Sequence, residues 1–80
     1  DVVIKNNIAM IHMANGEYEQ AIAMLTPVLK DNPANKVIKA NLAIALIKTQ
    51  QVEAARKLLK GDFSDQEILR ITTELTQVRG

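Results

Sequence analysis

The chain holds one histidine, His12, one serine, Ser64, and no cysteine. Nucleophilic or acid–base catalysis would need these groups set beside one another. His12 instead falls at a helical position used for packing, and Ser64 stands three residues before Glu67. Ser-x-x-Glu is the spacing of a capping box, in which hydroxyl and carboxylate satisfy backbone amides at a helix start. No His-Glu-x-x-His spacing occurs, and the carboxylates are scattered among charged helix surfaces. The inventory therefore points away from an enzyme and from a metal site, and no cofactor is expected. What remains is recognition chemistry. Asn7 and Asn41 stand at matching places in two similar segments. An amide side chain both donates and accepts, so such a pair can bond the backbone of an extended peptide whatever its sequence.

The two segments are an internal repeat. Val3-Ile4-Lys5-Asn6-Asn7 returns as Val37-Ile38-Lys39-Ala40-Asn41, and the same offset aligns Ala9 with Ala43, Glu19 with Glu53, Ala21 with Ala55 and Leu25 with Leu59. Its period, about 34 residues, is the length of one helix–turn–helix unit. Such a unit cannot bury its apolar face alone and stacks on neighbours.

The elements follow from the period of the apolar residues. Val3, Ile4, Ile8 and Ile11 recur at three- and four-residue steps, which predicts a helix over 2–15 that ends at Asn15-Gly16. Tyr18, Ala21, Ile22, Leu25, Val28 and Leu29 predict a second over 17–31, stopped at Asn32-Pro33. Pro27 lies inside it, where the missing amide favours a bend. A third helix over 35–49 is apolar on more than one face and is expected to be the most buried. Val52 to Lys60 forms a fourth, ended by Gly61, and Ser64 opens a fifth over 65–78 that lays Ile68, Ile71, Leu75 and Val78 on the core. No segment alternates with period two. The fold class is all-α.

Bulk properties limit the rest. Net charge is +1, and one Tyr and one Phe are too few for base stacking, so no nucleic-acid partner is expected. The basic groups Lys36/Lys39 and Arg56/Lys57/Lys60 read as solvated helix faces. The longest apolar run, Leu42 to Ile47, is far short of the roughly 20 residues of a membrane span. The chain opens on Asp1 with no apolar leader and is read as a piece of a longer protein, so the compartment is open.

Residues 2–35 resemble a tetratricopeptide repeat, through Ile8, Ala9, Gly16, Tyr18, Ala21, Leu25 and Pro33. A second repeat, 36–62, keeps Leu42, Ala43, Ala55 and Leu59, but has Gln50 where the motif prefers glycine and Val52 where it prefers an aromatic. The resemblance implies two helix–turn–helix repeats followed by a capping helix, 64–79, in one domain. Ala9, Ala21, Leu25, Ala43, Ala55 and Leu59 would form the packing between helices. A narrower likeness, in Asn41–Leu46 and Glu53–Leu59, is to TadD-type lipoproteins of bacterial tight-adherence (Flp) pilus assembly. It implies a site at the periplasmic face of the outer membrane; without it a cytoplasmic setting stands equally well.

In this repeat class the first helix of each pair lines a concave groove. The resemblance therefore implies a peptide-binding groove made of Asn6, Asn7, Met10 and Met13 with Asn41, Ile44, Ile47 and Lys48, flanked by Val3, Ala14, Val37 and Ala40. Methionines there would offer adaptable apolar contact. The family's carboxylate clamp is not expected, because of its positions (here Asn6, Met10, Val37, Ala40 and Asn41) only Asn41 agrees. The expected partner is a protein segment. The alternative is a structural end-piece whose groove packs on its own chain or self-associates, with a homodimer forming through Val2, Val3 and Ile4.

Overall fold

The computed structural model describes residues 1–76 and contains five helices: α1 (Val2–Ala14), α2 (Tyr18–Asp31), α3 (Lys36–Lys48), α4 (Val52–Leu59) and α5 (Asp65–Thr76). Among the described residues there is no strand, only an isolated bridge between Lys60 and Phe63. The expected contact of Val78 lies outside the described residues.

Local chemistry sets the helix ends. The Asp1 carboxylate accepts from the Val3 amide at 2.7 Å, and the Asn35 side chain accepts from the Ile38 amide at 3.1 Å. Each satisfies a donor that the first helical turn leaves without a partner. At α5 the capping box is reciprocal: the Ser64 amide donates to Glu67 at 2.9 Å, and the Glu67 amide donates to the Ser64 hydroxyl at 3.1 Å. These bonds favour the ionised carboxylate and hold the Glu67 acid below its ordinary range. α2 runs through Pro27 without a break; Pro27 and Ala23, whose carbonyl the proline cannot serve, are both exposed.

The turns of the two helix pairs share a conformation. Gly16 has φ +76° and Gln50, at the matching position, φ +67°. A glycine takes this left-handed geometry freely, whereas a Cβ there is crowded by backbone. Gly61, at φ +100°, turns the chain from α4 toward α5.

Packing is sequential, α1 on α2, α2 on α3 and α3 on α4, with α5 returning to α3 and α4. Two core clusters result. One joins Ala9, Ala21, Leu25, Val28, Ile38, Leu42 and Ala45; the other joins Ala43, Ile47, Ala55, Leu59 and Ile68. Leu46 and Leu58 pack against both. Ala9, Ala21, Ala43 and Ala55 are all buried where helices meet, and a larger side chain at such a crossing would overpack it. α3 contributes to both clusters and is buried on two sides. α1 is the opposite case: of its apolar residues only Ala9 is buried, and the stripe Ile4, Ile8, Ile11 that announces the helix in the sequence faces solvent.

Candidate protein-binding groove

α1, α3 and α5 form one face of the molecule. α1 and α5 each contact α3 but not one another. The side chains of this face come from the helix periodicity: residues about a turn apart on α3, such as Ala40, Ile44 and Ile47, point the same way.

The amides meet in an arrangement that the repeat alignment does not indicate. Asn41 donates its side-chain N–H to the side-chain Oδ1 of Asn6 at 2.8 Å, tying α3 to α1. Asn6, rather than the aligned Asn7, is thus the neighbour of Asn41. Both bonded residues are half-buried, while Asn7 is exposed and makes no side-chain hydrogen bond among the described residues. Each amide of the pair keeps unused capacity, because one bond consumes only one of its several donor and acceptor sites.

Beside this pair, Met10 is exposed, Met13 is half-buried against the first cluster, Ile44 is half-buried and Lys48 is exposed. Ile47 is a correction. It was expected in the groove, yet it is 2% exposed and belongs to the second cluster with Ile68. The reason is α5, which lies over that side of α3 and takes Ile47 as core. Between α3 and α5 a cavity of about 250 Å³ remains, lined by Ala40, Ile44, Leu59, Phe63, Ile71, Glu74 and Leu75. Its walls are apolar apart from the Glu74 carboxylate. Phe63, Ile71 and Leu75 had no place in the groove as read from sequence. The signal available for them was the α5 stripe, if that helix is set beside α3.

His12 is half-buried and its Nδ1 lies 2.9 Å from the Glu17 carboxylate, a contact that closes the first interhelical turn. Among the described residues no group of three His, Asp or Glu side chains could hold a metal ion, and no helix is long and apolar enough to cross a membrane. Thr72, unremarked in the sequence, is buried; its hydroxyl donates to the Ile68 carbonyl and so leaves no unsatisfied group. Its place one turn after Ile68 was the available clue.

No curated protein and no solved structure shows significant similarity to the chain. A sequence profile described as tetratricopeptide repeat matches residues 12–64, more than half of the chain. Proteins built from this repeat are typically non-enzymatic scaffolds that mediate protein–protein interaction. By that match and by its five sequentially packed helices, this chain belongs to the tetratricopeptide repeat family.

Proposed function

We propose that the face formed by α1, α3 and α5 binds an extended segment of a partner protein. We take α1–α2 (2–35) and α3–α4 (36–62) as two repeats and the helix after Ser64 as their cap. The observation that supports the reading is the juxtaposition of the Asn6–Asn41 amides with the apolar cavity at Ile44 and Ile71. Amides would hold the partner's backbone and the cavity would take one of its apolar side chains. Screening of immobilised peptides against the parent and the Asn6→Ala and Asn41→Ala variants tests it. Each substitution should weaken selected peptides by about two- to tenfold, the loss of one hydrogen bond. Unchanged affinity in both variants, with peptides still bound, would place the site elsewhere.

A second reading has its own observation. Val3, Ile4, Ile8 and Ile11 are exposed on α1, an apolar strip of the kind that seeks cover. On this reading the strip packs on another copy of the chain, and the domain is a structural end-piece. Light scattering at rising concentration should then show dimer in the parent and monomer in Ile8→Lys. Monomer throughout would remove this reading and leave the groove reading intact.

A role in tight-adherence pilus assembly is a narrower proposal. It rests on the likeness of Asn41–Leu46 and Glu53–Leu59 to TadD-type lipoproteins. The full-length coding sequence tests it: an N-terminal signal ending in a lipid-acceptor cysteine would support it, and a leaderless start would end it.

A further inference from the structure

A second apolar surface lies between α2 and α4. α2 and α4 both pack on α3 but not on each other, so a trough runs between them. Leu42 and Leu46 of α3 form its floor, with Leu29 and Leu58 on its sides. It comprises two open hollows of about 480 and 580 Å³, continuous through Thr26, Leu42, Lys57 and Leu58, which line both.

Its rim is basic. Lys30 from α2, Lys39 from α3, and Lys57 and Lys60 from the end of α4 surround the larger hollow. Lys39, one of these four, is paired with the Asp62 carboxylate. Lys30, Lys57 and Lys60 are exposed and have no carboxylate within ion-pairing distance among the described residues. None of the nine Asp and Glu residues lines either hollow. Four of the ten Lys and Arg residues, three of them without a salt-bridge partner among the described residues, thus stand around one apolar trough. In sequence they come from three separate places, Lys30, the Lys36/Lys39 group and the Arg56/Lys57/Lys60 group; the fold brings them to one hollow.

We infer that the trough between α2 and α4 is a docking site for an acidic amphipathic segment of a partner protein, with leucine-like side chains on the floor and carboxylates against Lys30, Lys57 and Lys60. Complementary charge steers such a segment and sets its register, while the apolar floor supplies contact area. A bilayer fits less well. Surface insertion needs apolar side chains that stand proud of the cations, whereas these leucines are buried or half-buried below the lysine rim. Single-stranded nucleic acid needs stacking platforms, and no aromatic residue lines either hollow. The inference is independent of the groove formed by α1, α3 and α5.

The test uses a labelled peptide of about twelve residues, with leucines at helical spacing and glutamates elsewhere. Its controls are the lysine-for-glutamate and serine-for-leucine versions, and phosphatidylcholine vesicles with and without phosphatidylserine. Fluorescence anisotropy should show the acidic peptide binding and both control peptides failing. Affinity should fall by about tenfold or more in Lys30→Glu/Lys57→Glu, and by a similar factor when salt rises from low to high. Thr73→Lys, at an exposed position of α5 that lines neither hollow, should bind as the parent does. If the charge-reversed variant is not fully helical, Lys30→Gln/Lys57→Gln replaces it and must also weaken binding. Methyl chemical shifts on binding should move at Leu42 and Leu58. Equal binding of the lysine peptide, shifts confined to Ile44 and Ile71, or association with phosphatidylserine vesicles alone would overturn the proposal.

Discussion

α1 and α3 stand at matching places of the internal repeat, sharing Val-Ile-Lys, an Asn and an Ala, and differ sharply in burial. Ile4 is 58% exposed and its counterpart Ile38 is 1% exposed; Ile8 and Leu42 stand at 39% and 5%, Ile11 and Ala45 at 61% and 0%. Residue type alone does not account for this, since Ile4 and Ile38 are the same residue. α3 has α1 and α2 on one side and α4 and α5 on the other, whereas α1 is covered on one side only. In a stacked array the burial of a position is decided by what flanks its repeat, because each unit contacts only its neighbours. An aliphatic stripe therefore announces a helix, and only the array decides whether that stripe becomes core.

The largest expected effect comes from making α3 resemble α1. Deleting 64–80 removes Ile68, Ile71 and Leu75 from the second cluster and bares Ala43 and Ile47. Burial of these aliphatic side chains, Ile68 fully and Ile71 and Leu75 in part, contributes at most roughly 9 kcal/mol before ordering entropy is subtracted. The shortened chain should lose its cooperative melt by circular dichroism; a retained melting temperature would show that α3 does not need its second flank. Next, Ile38→Ala should cost about 2–5 kcal/mol, as for a buried aliphatic, and Ile4→Ala less than about 0.5 kcal/mol. Urea midpoints that fall equally would erase the contrast between the two helices. Ala55→Leu should cost about 1–3 kcal/mol through overpacking, while the same change at exposed Ala54 should be nearly neutral.

The turns sharpen the comparison further. Gln50→Gly should raise stability by up to about 1 kcal/mol, since glycine relieves the left-handed Gln50 at some cost in chain entropy. A lower midpoint would mean that the Gln50 side chain stabilises the turn. Acid gives the smallest effect. Lys39 holds the Asp62 carboxyl below its ordinary value of 3.8, chiefly through their hydrogen bond. The Ser64 bonds hold Glu67 below its ordinary 4.5. A lowered folded-state pKa means stability that is fully present above the ordinary value and lost as pH falls through the folded one. Between neutral pH and those folded values Lys39→Ala and Glu67→Gln should melt below the parent, and the differences should close in stronger acid.

Helix existence was legible in the sequence because its signals are local: an aliphatic period, Gly16, Pro33 and the Ser64–Glu67 box. What could not be read locally was which side of each helix would be covered. Ile47 carries the same aliphatic signature whether it faces a peptide or α5. The Asn6–Asn41 bond joins positions that the repeat alignment does not equate, because contact between adjacent helices depends on their relative rotation and not on their sequence offset. The cavity at Ile71 and the lysine rim are assembled from segments far apart in the chain. Gln50 was visible as a departure from the motif, and the structure adds that the backbone keeps the glycine-like geometry regardless.

The position of α3 as a wall common to both clusters has a consequence for how the molecule opens. Leu46 and Leu58 pack against both clusters, so neither cluster can be taken apart without disturbing the other. The outer helices can fray individually, but releasing α3 requires both clusters to come apart together. Backbone amides of α3 should therefore exchange with solvent deuterium only through global opening, and those of α1 through smaller and more frequent excursions. A partner seated on either face of the molecule would rest against the helix that moves last.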